Sequence, residues 1–359
     1  MSKARLARVV EAIAAADLAY LLVTGLLNLR YLTGFTGTSG LALIGADERH
    51  FVTDFRYVEQ AAEQVGDGWQ HHVASEELLD VVPGLVDRGR DCRLGFDDAQ
   101  VSVKTHARLR ELLGEDGPEL VRAGGLLEAE RAVKDAGERE RIAAAAALGD
   151  EAFAAILEQG LVGCSERQLA WALEDELRKR GAQPAFDTIV AAGAHGALPH
   201  AEPRDVEIPP QTLVIIDWGA LLDGYCSDCT RTLATGRVDS EQQEVYELVR
   251  AAQQAASDAI AAGRGGRELD GVARERIEGA GHGEHFGHGL GHGVGLEIHE
   301  APRLSKRSED TLVAGNVVTV EPGVYLPGRF GVRIEDLVVV TTNGSDVLSQ
   351  TPKDLTTVG

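Results

Sequence analysis

The chain has 359 residues, 44% hydrophobic and 26% charged, enough for two domains and for at least one large core. Its 57 acidic and 35 basic residues give a net charge of −22, which repels nucleic acid and anionic membrane surfaces. No apolar run approaches the roughly 20 residues that cross a bilayer, so neither partner is expected.

At the N-terminus Lys3, Arg5 and Arg8 imitate the basic start of a secretory signal. Glu11 and Asp17 interrupt the apolar stretch that should follow, so the expected location is the cytoplasm. Helical spacing over 5–16, strand-like runs at 19–24, 41–44 and 50–53, and a helix over 56–64 predict a small α/β domain spanning residues 1–130. The charged segment 128–141 reads as a linker into a long helix.

Residues 131–359 follow a different order. Two helices, 138–158 and 166–180, precede strands at 188–192, 213–218 and 225–234. Ser165 and Gln168 have capping-box spacing, and Gly181 sits at the stop position. The order then repeats, with helices at 241–262 and 267–278 and strands at 294–299, 317–321 and 332–340. Ser240 and Gln243 form a second capping box there. A unit of paired helices followed by strands is therefore used twice, and a site between the two halves is expected.

Five residues of this region carry the chemistry: Asp217, Asp228, His292, Glu321 and Glu335. Four carboxylates and one imidazole form a hard, oxygen-rich set whose charge matches two divalent cations; a lone tetrahedral zinc needs fewer ligands and more His or Cys. If the five converge, the chemistry is hydrolysis by activated water. A two-residue turn at Asp223-Gly224 would set Asp217 opposite Thr230, on the same face as Asp228. The two acids would then lie roughly 7–8 Å apart between backbones. Strand parity over 332–340 puts Arg333 and Glu335 on one face, and Pro322-Gly323 ends the strand that delivers Glu321.

The segment from His285 to Glu300 holds His285, His288, His292 and His299 among five glycines. That much glycine argues against a helix, and the pattern fails the dinucleotide fingerprint at Val294. It reads as a glycine loop leading into a strand with Val294, Leu296 and Ile298 on the core face and His299 opposite. Cys226 and Cys229 form a C-x-x-C; on one strand their sulfurs would point to opposite faces, so they read as structural.

Taken in order, Ile216-Asp217, Tyr225-Cys226-Ser227-Asp228-Cys229-Thr230-Arg231-Thr232, His288-Gly289-Leu290-Gly291-His292, His299-Glu300, Val320-Glu321-Pro322-Gly323 and Arg333-Ile334-Glu335-Asp336 resemble the pita-bread metallopeptidases. The resemblance lies in their Xaa-Pro branch, aminopeptidase P and prolidase. The segments from Asn28 to Gly37 and from Thr53 to Tyr57 look like the accessory domain of the short bacterial forms. The likeness implies an α/β (α+β) chain, with an N-terminal creatinase-like α/β domain followed by a pseudo-twofold pita-bread catalytic domain. It implies Asp217, Asp228, His292, Glu321 and Glu335 as ligands of two divalent ions. Mn2+ is the expected metal, with Co2+ and Zn2+ as alternatives. A metal-bridging hydroxide would attack the carbonyl before proline, and Glu321 would relay its proton to the leaving nitrogen.

The same likeness makes His200, His288 and His299 catalytic and substrate-lining. Arg333 is implied as a catalytic or supporting residue, Tyr325 as a substrate contact, and the assembly as a homodimer through the N-terminal domain. The alternative readings are Arg333 as only a partner of a ligand carboxylate and Tyr325 as a core residue. Within the family, an Xaa-Pro dipeptidase is preferred over an aminopeptidase acting on longer peptides, because Arg303, with Arg307 nearby, offers a cation to a free carboxylate. A metal-free pseudo-peptidase that binds peptides is the alternative from another class; such relatives typically lose ligands, whereas all five are present here.

Overall fold

The computed structural model describes residues 3–87, 89 and 91–359. The chain divides into two compact units, Met1–Arg131 and Ala132–Gly359.

In the first unit six strands form one mixed sheet, in the order Gln70–Ala74, Arg49–Asp54, Leu41–Gly45, Tyr20–Val23, Arg93–Phe96 and Glu119–Arg122. The central strands Tyr20–Val23 and Leu41–Gly45 are buried along their whole length. Charge alone made 128–141 read as a linker, but Leu126–Ala132 is a helix. Its charged residues are used inward: Asn28 donates to Glu128 at 2.7 Å and accepts from Arg131 at 2.9 Å. The next helix, Ala136–Leu157, starts at an Asp135/Glu138 capping box.

In the second unit, Ala136–Leu157 and Glu166–Lys179 cover the antiparallel sheet Cys229–Ala234, Leu213–Trp218, Ile189–Ala192. Phe153 stacks on Trp218 with ring centroids 4.0 Å apart, and Trp218 Nε1 donates to Gly149 O. This fixes the strand residue beside Asp217. Ser240–Ala259 and Gly266–Gly279 pack in the same way with the sheet Glu300–Leu304, Gly291–Gly293, Val317–Val320, Asp336–Val340, Ser345–Val347. Each half has its own apolar core, Phe153, Leu173 and Ile216 in one and Val249, Ile277 and Val318 in the other. No helix among the described residues is long and apolar enough to cross a membrane.

The hairpin register is the one expected. Leu222 pairs with Tyr225 across Asp223 (φ 49°) and Gly224 (φ 84°), and Thr230 stands opposite Asp217. Other strands are shorter than their apolar runs. The run 225–234 breaks after Cys226, where the Ser227 hydroxyl accepts from Ala220 N at 3.0 Å. The run 332–340 breaks at Ile334-Glu335, because Glu335 N turns away to Thr230 O at 3.1 Å. Between 294 and 299 there is no strand; the strand is Gly291–Gly293, followed by a turn closed by Gly295 N donating to Glu297 O. Glycine permits this strand because neighbouring backbone crowds it. A Cβ on Gly291 would lie 2.0 Å from Thr319 O, and one on Gly293 2.1 Å from Ala301 O. Finally, the second capping box is Asp239/Gln242, one residue before the predicted Ser240/Gln243, since the Asp239 carboxylate reaches Gln242 N.

Candidate active site

Asp217 and Asp228 come from the hairpin of the first half, and His292, Glu321 and Glu335 from strand ends and breaks of the second. Ligand-type oxygens of Asp217, Asp228 and Glu335 all lie within 4.8 Å of one another. His292 Nε2 extends the cluster to Asp228 Oδ2 at 3.6 Å and to Glu321 Oε1 at 3.3 Å. The five predicted ligands therefore converge, at the floor of a cavity of about 520 Å3 that His200, His288, His299, Arg303 and Arg333 also line.

The protein holds only part of each carboxylate. Asp217 Oδ2 accepts from Arg333 Nη2 at 2.7 Å, and Glu335 Oε2 accepts from the Thr230 hydroxyl at 2.7 Å. Asp217 Oδ1 and Glu335 Oε1 are buried without a hydrogen-bond partner among the described residues. Burial first, then the neighbouring carboxylates, pushes Asp228 and Glu335 well above the usual carboxylate range. Asp217 is raised mainly by burial, despite Arg333 beside it. Burial also opposes ionisation of Glu321, but His292, His288 and Arg333 bring it down to about 2.

His292 points the same way. Its Nδ1 donates to Gly293 O at 3.0 Å, so Nε2 presents a lone pair to two acidic oxygens. A lone pair facing anions is stable only with a proton or a metal ion between them, and a proton there is what lets His292 lower Glu321. The donor set thus fits divalent metal: two orphaned oxygens, a histidine held in the ligating tautomer, and more negative charge than the buried site can carry alone.

Around this floor the predicted residues separate by role. His200 and His299 reach the cavity, and their side chains make no hydrogen bond among the described residues. His299 packs edge-on against His292 at 4.4 Å between ring centroids; burial, His292 and Arg303 lower its pKa. His288 is lowered first by burial, and both its nitrogens are engaged: Nδ1 with Gly289 O at 2.8 Å, Nε2 with the Tyr325 hydroxyl at 2.9 Å. As arranged it has no free nitrogen for an oxyanion, contrary to expectation.

Tyr325 and Arg333 take the supporting places that the sequence reading left open as alternatives. The buried Tyr325 hydroxyl donates to His288 and accepts from Arg333 Nη1 at 2.9 Å, so it braces the site from behind rather than facing substrate. The guanidinium of Arg333 is spent on Asp217, Thr230, Tyr325 and Pro199 O. It positions a carboxylate instead of taking part as a catalytic group. Arg303 lies across the strand pair from His292, exposed at the cavity edge with no ion-pair partner among the described residues.

Two hydroxyls have roles the sequence reading did not assign, Thr230 having been placed there only by register. Thr230 Oγ1 accepts from Arg333 Nε and donates to Glu335, while Thr319 Oγ1 accepts from His292 N and donates to Glu321 Oε1 at 3.1 Å. Both lie on the strand face that carries a ligand, and parity with Asp228 and with Glu321 was the available signal. Phe186, Pro199 and Ile298 supply apolar wall and had no such signal.

The profile of metallopeptidase family M24 matches residues 140–342, and that of the creatinase/prolidase N-terminal domain matches residues 5–133. The chain belongs to metallopeptidase family M24. Within it, the chain is 36% identical over 331 residues to an Xaa-Pro dipeptidase of Pyrococcus horikoshii, covering 91% of this chain and 92% of that one. Among solved structures it is similar to an Xaa-Pro dipeptidase from Bacillus anthracis, with a TM-score of 0.94, 39% identity and 99% of both chains covered. It also resembles an X-Pro aminopeptidase from Thermotoga maritima, with a TM-score of 0.89, 34% identity, and 97% and 100% covered. The M24 fold is thus a pita-bread hydrolase scaffold carrying the acidic cluster described above.

Proposed function

We propose that this chain is a two-metal Xaa-Pro dipeptidase. The observation that carries the reading is the convergence of four carboxylates and one ligating-tautomer histidine beneath a cavity rimmed by an unpaired arginine. Residues 1–130 form the creatinase-like domain and 131–359 the catalytic one in this reading, supported by compact units that part after Arg131.

Asp217, Asp228, His292, Glu321 and Glu335 would hold two divalent cations, Mn2+ being the ion that best suits so oxygen-rich a set. When bound, such ions supply Lewis-acid polarisation of a carbonyl and activation of water. Arg333 and Thr230 keep the Asp217 and Glu335 carboxylates in place. The Thr319 hydroxyl holds Glu321 Oε1, which leaves Oε2 to accept the proton of the attacking water and pass it to the departing proline nitrogen. That nitrogen belongs to a tertiary amide with no N–H to grip, so shape must take over recognition. Phe186, Pro199 and Ile298 offer apolar wall for the ring. His200 and His299, with free ring nitrogens, donate to the developing oxyanion.

Arg303 selects the substrate's far end. A dipeptide places its carboxylate beside proline, where an exposed guanidinium can pair with it. Xaa-Pro dipeptides should be turned over faster than Xaa-Pro-Yaa tripeptides under added Mn2+, and Arg303→Gln should raise KM for the dipeptide about tenfold or more, the loss of one charge-assisted pair. Tripeptide turnover equal to or above dipeptide turnover would instead make the chain an aminopeptidase.

A further inference from the structure

Glu166 lies outside the cavity, yet its carboxylate is almost wholly enclosed, at 1% exposure. It is the first residue of the Glu166–Lys179 helix, following the Ser165 cap. Its oxygens accept from Ala192 N at 2.9 Å, from His195 Nδ1 at 2.9 Å, and from Arg204 three times: N at 3.0 Å, Nε at 3.0 Å and Nη2 at 2.9 Å. One carboxylate therefore joins residues 192–195, before His200, to Arg204, after it. The helix start adds two further ties, Glu166 N to Val206 O and Arg167 N to Arg204 O.

The middle of the segment is fixed from the other side. Pro199 O accepts from Arg333 Nη1 at 3.0 Å, and Gly196 lies so close to Gly331 that a Cβ on Gly331 would sit 2.0 Å from Gly196 O. His200 itself is exposed at the cavity and makes no side-chain hydrogen bond among the described residues. Its place is thus set by the backbone that carries it. A carboxylate serving only the helix dipole would need no more than nearby N–H groups. Here all the side-chain bonds of Glu166 go to the two ends of one loop.

We infer that Glu166 is the positioning residue for His200, a clamp that closes the 193–204 loop and holds the imidazole over the cavity floor. The inference rests on the role proposed for His200. Burial works against the Glu166 charge, but Arg204 and the backbone donors outweigh it and keep the group ionised. A neutral amide cannot accept from Arg204 through two anionic oxygens, so Glu166→Gln opens the clamp with little change in volume.

The test is a double-mutant cycle on the metal-loaded chain with alanyl-proline, using Glu166→Gln, His200→Ala and the pair, together with amide hydrogen exchange. Glu166→Gln should lower kcat about 10- to 100-fold, the scale of a misplaced catalytic group, with metal content unchanged. In the His200→Ala background it should cost less than about twofold, because residues acting through one another are not additive. Amide exchange should rise across 193–204 while Leu213–Trp218 stays protected. Arg204→Gln, at a side chain 46% exposed, opens the same clamp without altering the helix start and should show the same pattern more weakly. Full additivity with His200→Ala, wild-type kcat in Glu166→Gln, or unchanged exchange over 193–204 overturns the clamp. If the wild-type chain released no proline from alanyl-proline, or His200→Ala were fully active, the proposed function would fail separately, and the exchange measurement would still decide whether the clamp exists.

Discussion

Asp217 and Glu335 each give one oxygen to the protein and keep one bare, and that division defines the site at the residue scale. Glu321 is the group asked to move a proton. Glu321→Gln should lower turnover of an Xaa-Pro dipeptide by at least about 100-fold, the usual range for a lost general acid–base group; wild-type activity in that variant would remove Glu321 from the proton path. Tyr325 makes the contrasting case. Tyr325→Phe leaves a buried Arg333 N–H without its acceptor, which should destabilise the chain by roughly 1–3 kcal/mol while reducing turnover less than Glu321→Gln does. Loss of turnover as complete as that of Glu321→Gln, with an unchanged melting curve, would show that the hydroxyl touches substrate after all. The five proposed ligands were legible because their chemistry is rare in combination. Which carboxylate Arg333 would hold was not, since its Asp217 partner lies 116 residues away in sequence and leaves no local trace.

At the scale of elements, turn chemistry was the most readable signal. Asp223-Gly224 demands two left-handed residues, which fixes the register and with it the Asp217–Thr230 pairing. Alternation was less reliable near the site. Val294, Leu296 and Ile298 alternate as a strand would, yet they lie in a turn, and the strand they were expected to form is the glycine stretch just before them. Backbone crowding decides this, and sequence periodicity contains no record of it. Gly293→Ala would force a methyl within 2.1 Å of Ala301 O, so the Gly291–Gly293 strand must shift away from its neighbour and carry His292 with it. The expected result is a loss of roughly 3 kcal/mol and a melting temperature lower by about 6–12 °C. A melting temperature within about 2 °C of wild type would mean that the backbone relaxes freely there. The strand breaks at Ser227-Asp228 and Ile334-Glu335 follow the same logic, each freeing a ligand from a regular pleat.

For the molecule as a whole, a net charge of −22 makes the clustering of four of its carboxylates costly unless something positive sits among them. The repeated order of helix pair and strands was visible in the sequence, and each half does supply two of the four acids. Where the halves meet, the apolar wall of Phe186, Pro199 and Ile298 was invisible, because no spacing rule links those three positions. A divalent cation bound among these acids, as proposed, would join the two halves in charge as well as in space. The most direct measurement is proline release from alanyl-proline by chelator-stripped chain, titrated with Mn2+ against elemental metal content. Turnover should be absent in the stripped chain and should rise to a plateau at about two ions per chain, the stoichiometry of a two-metal hydrolase. Turnover that survives stripping, or no proline release at any metal loading, would contradict it.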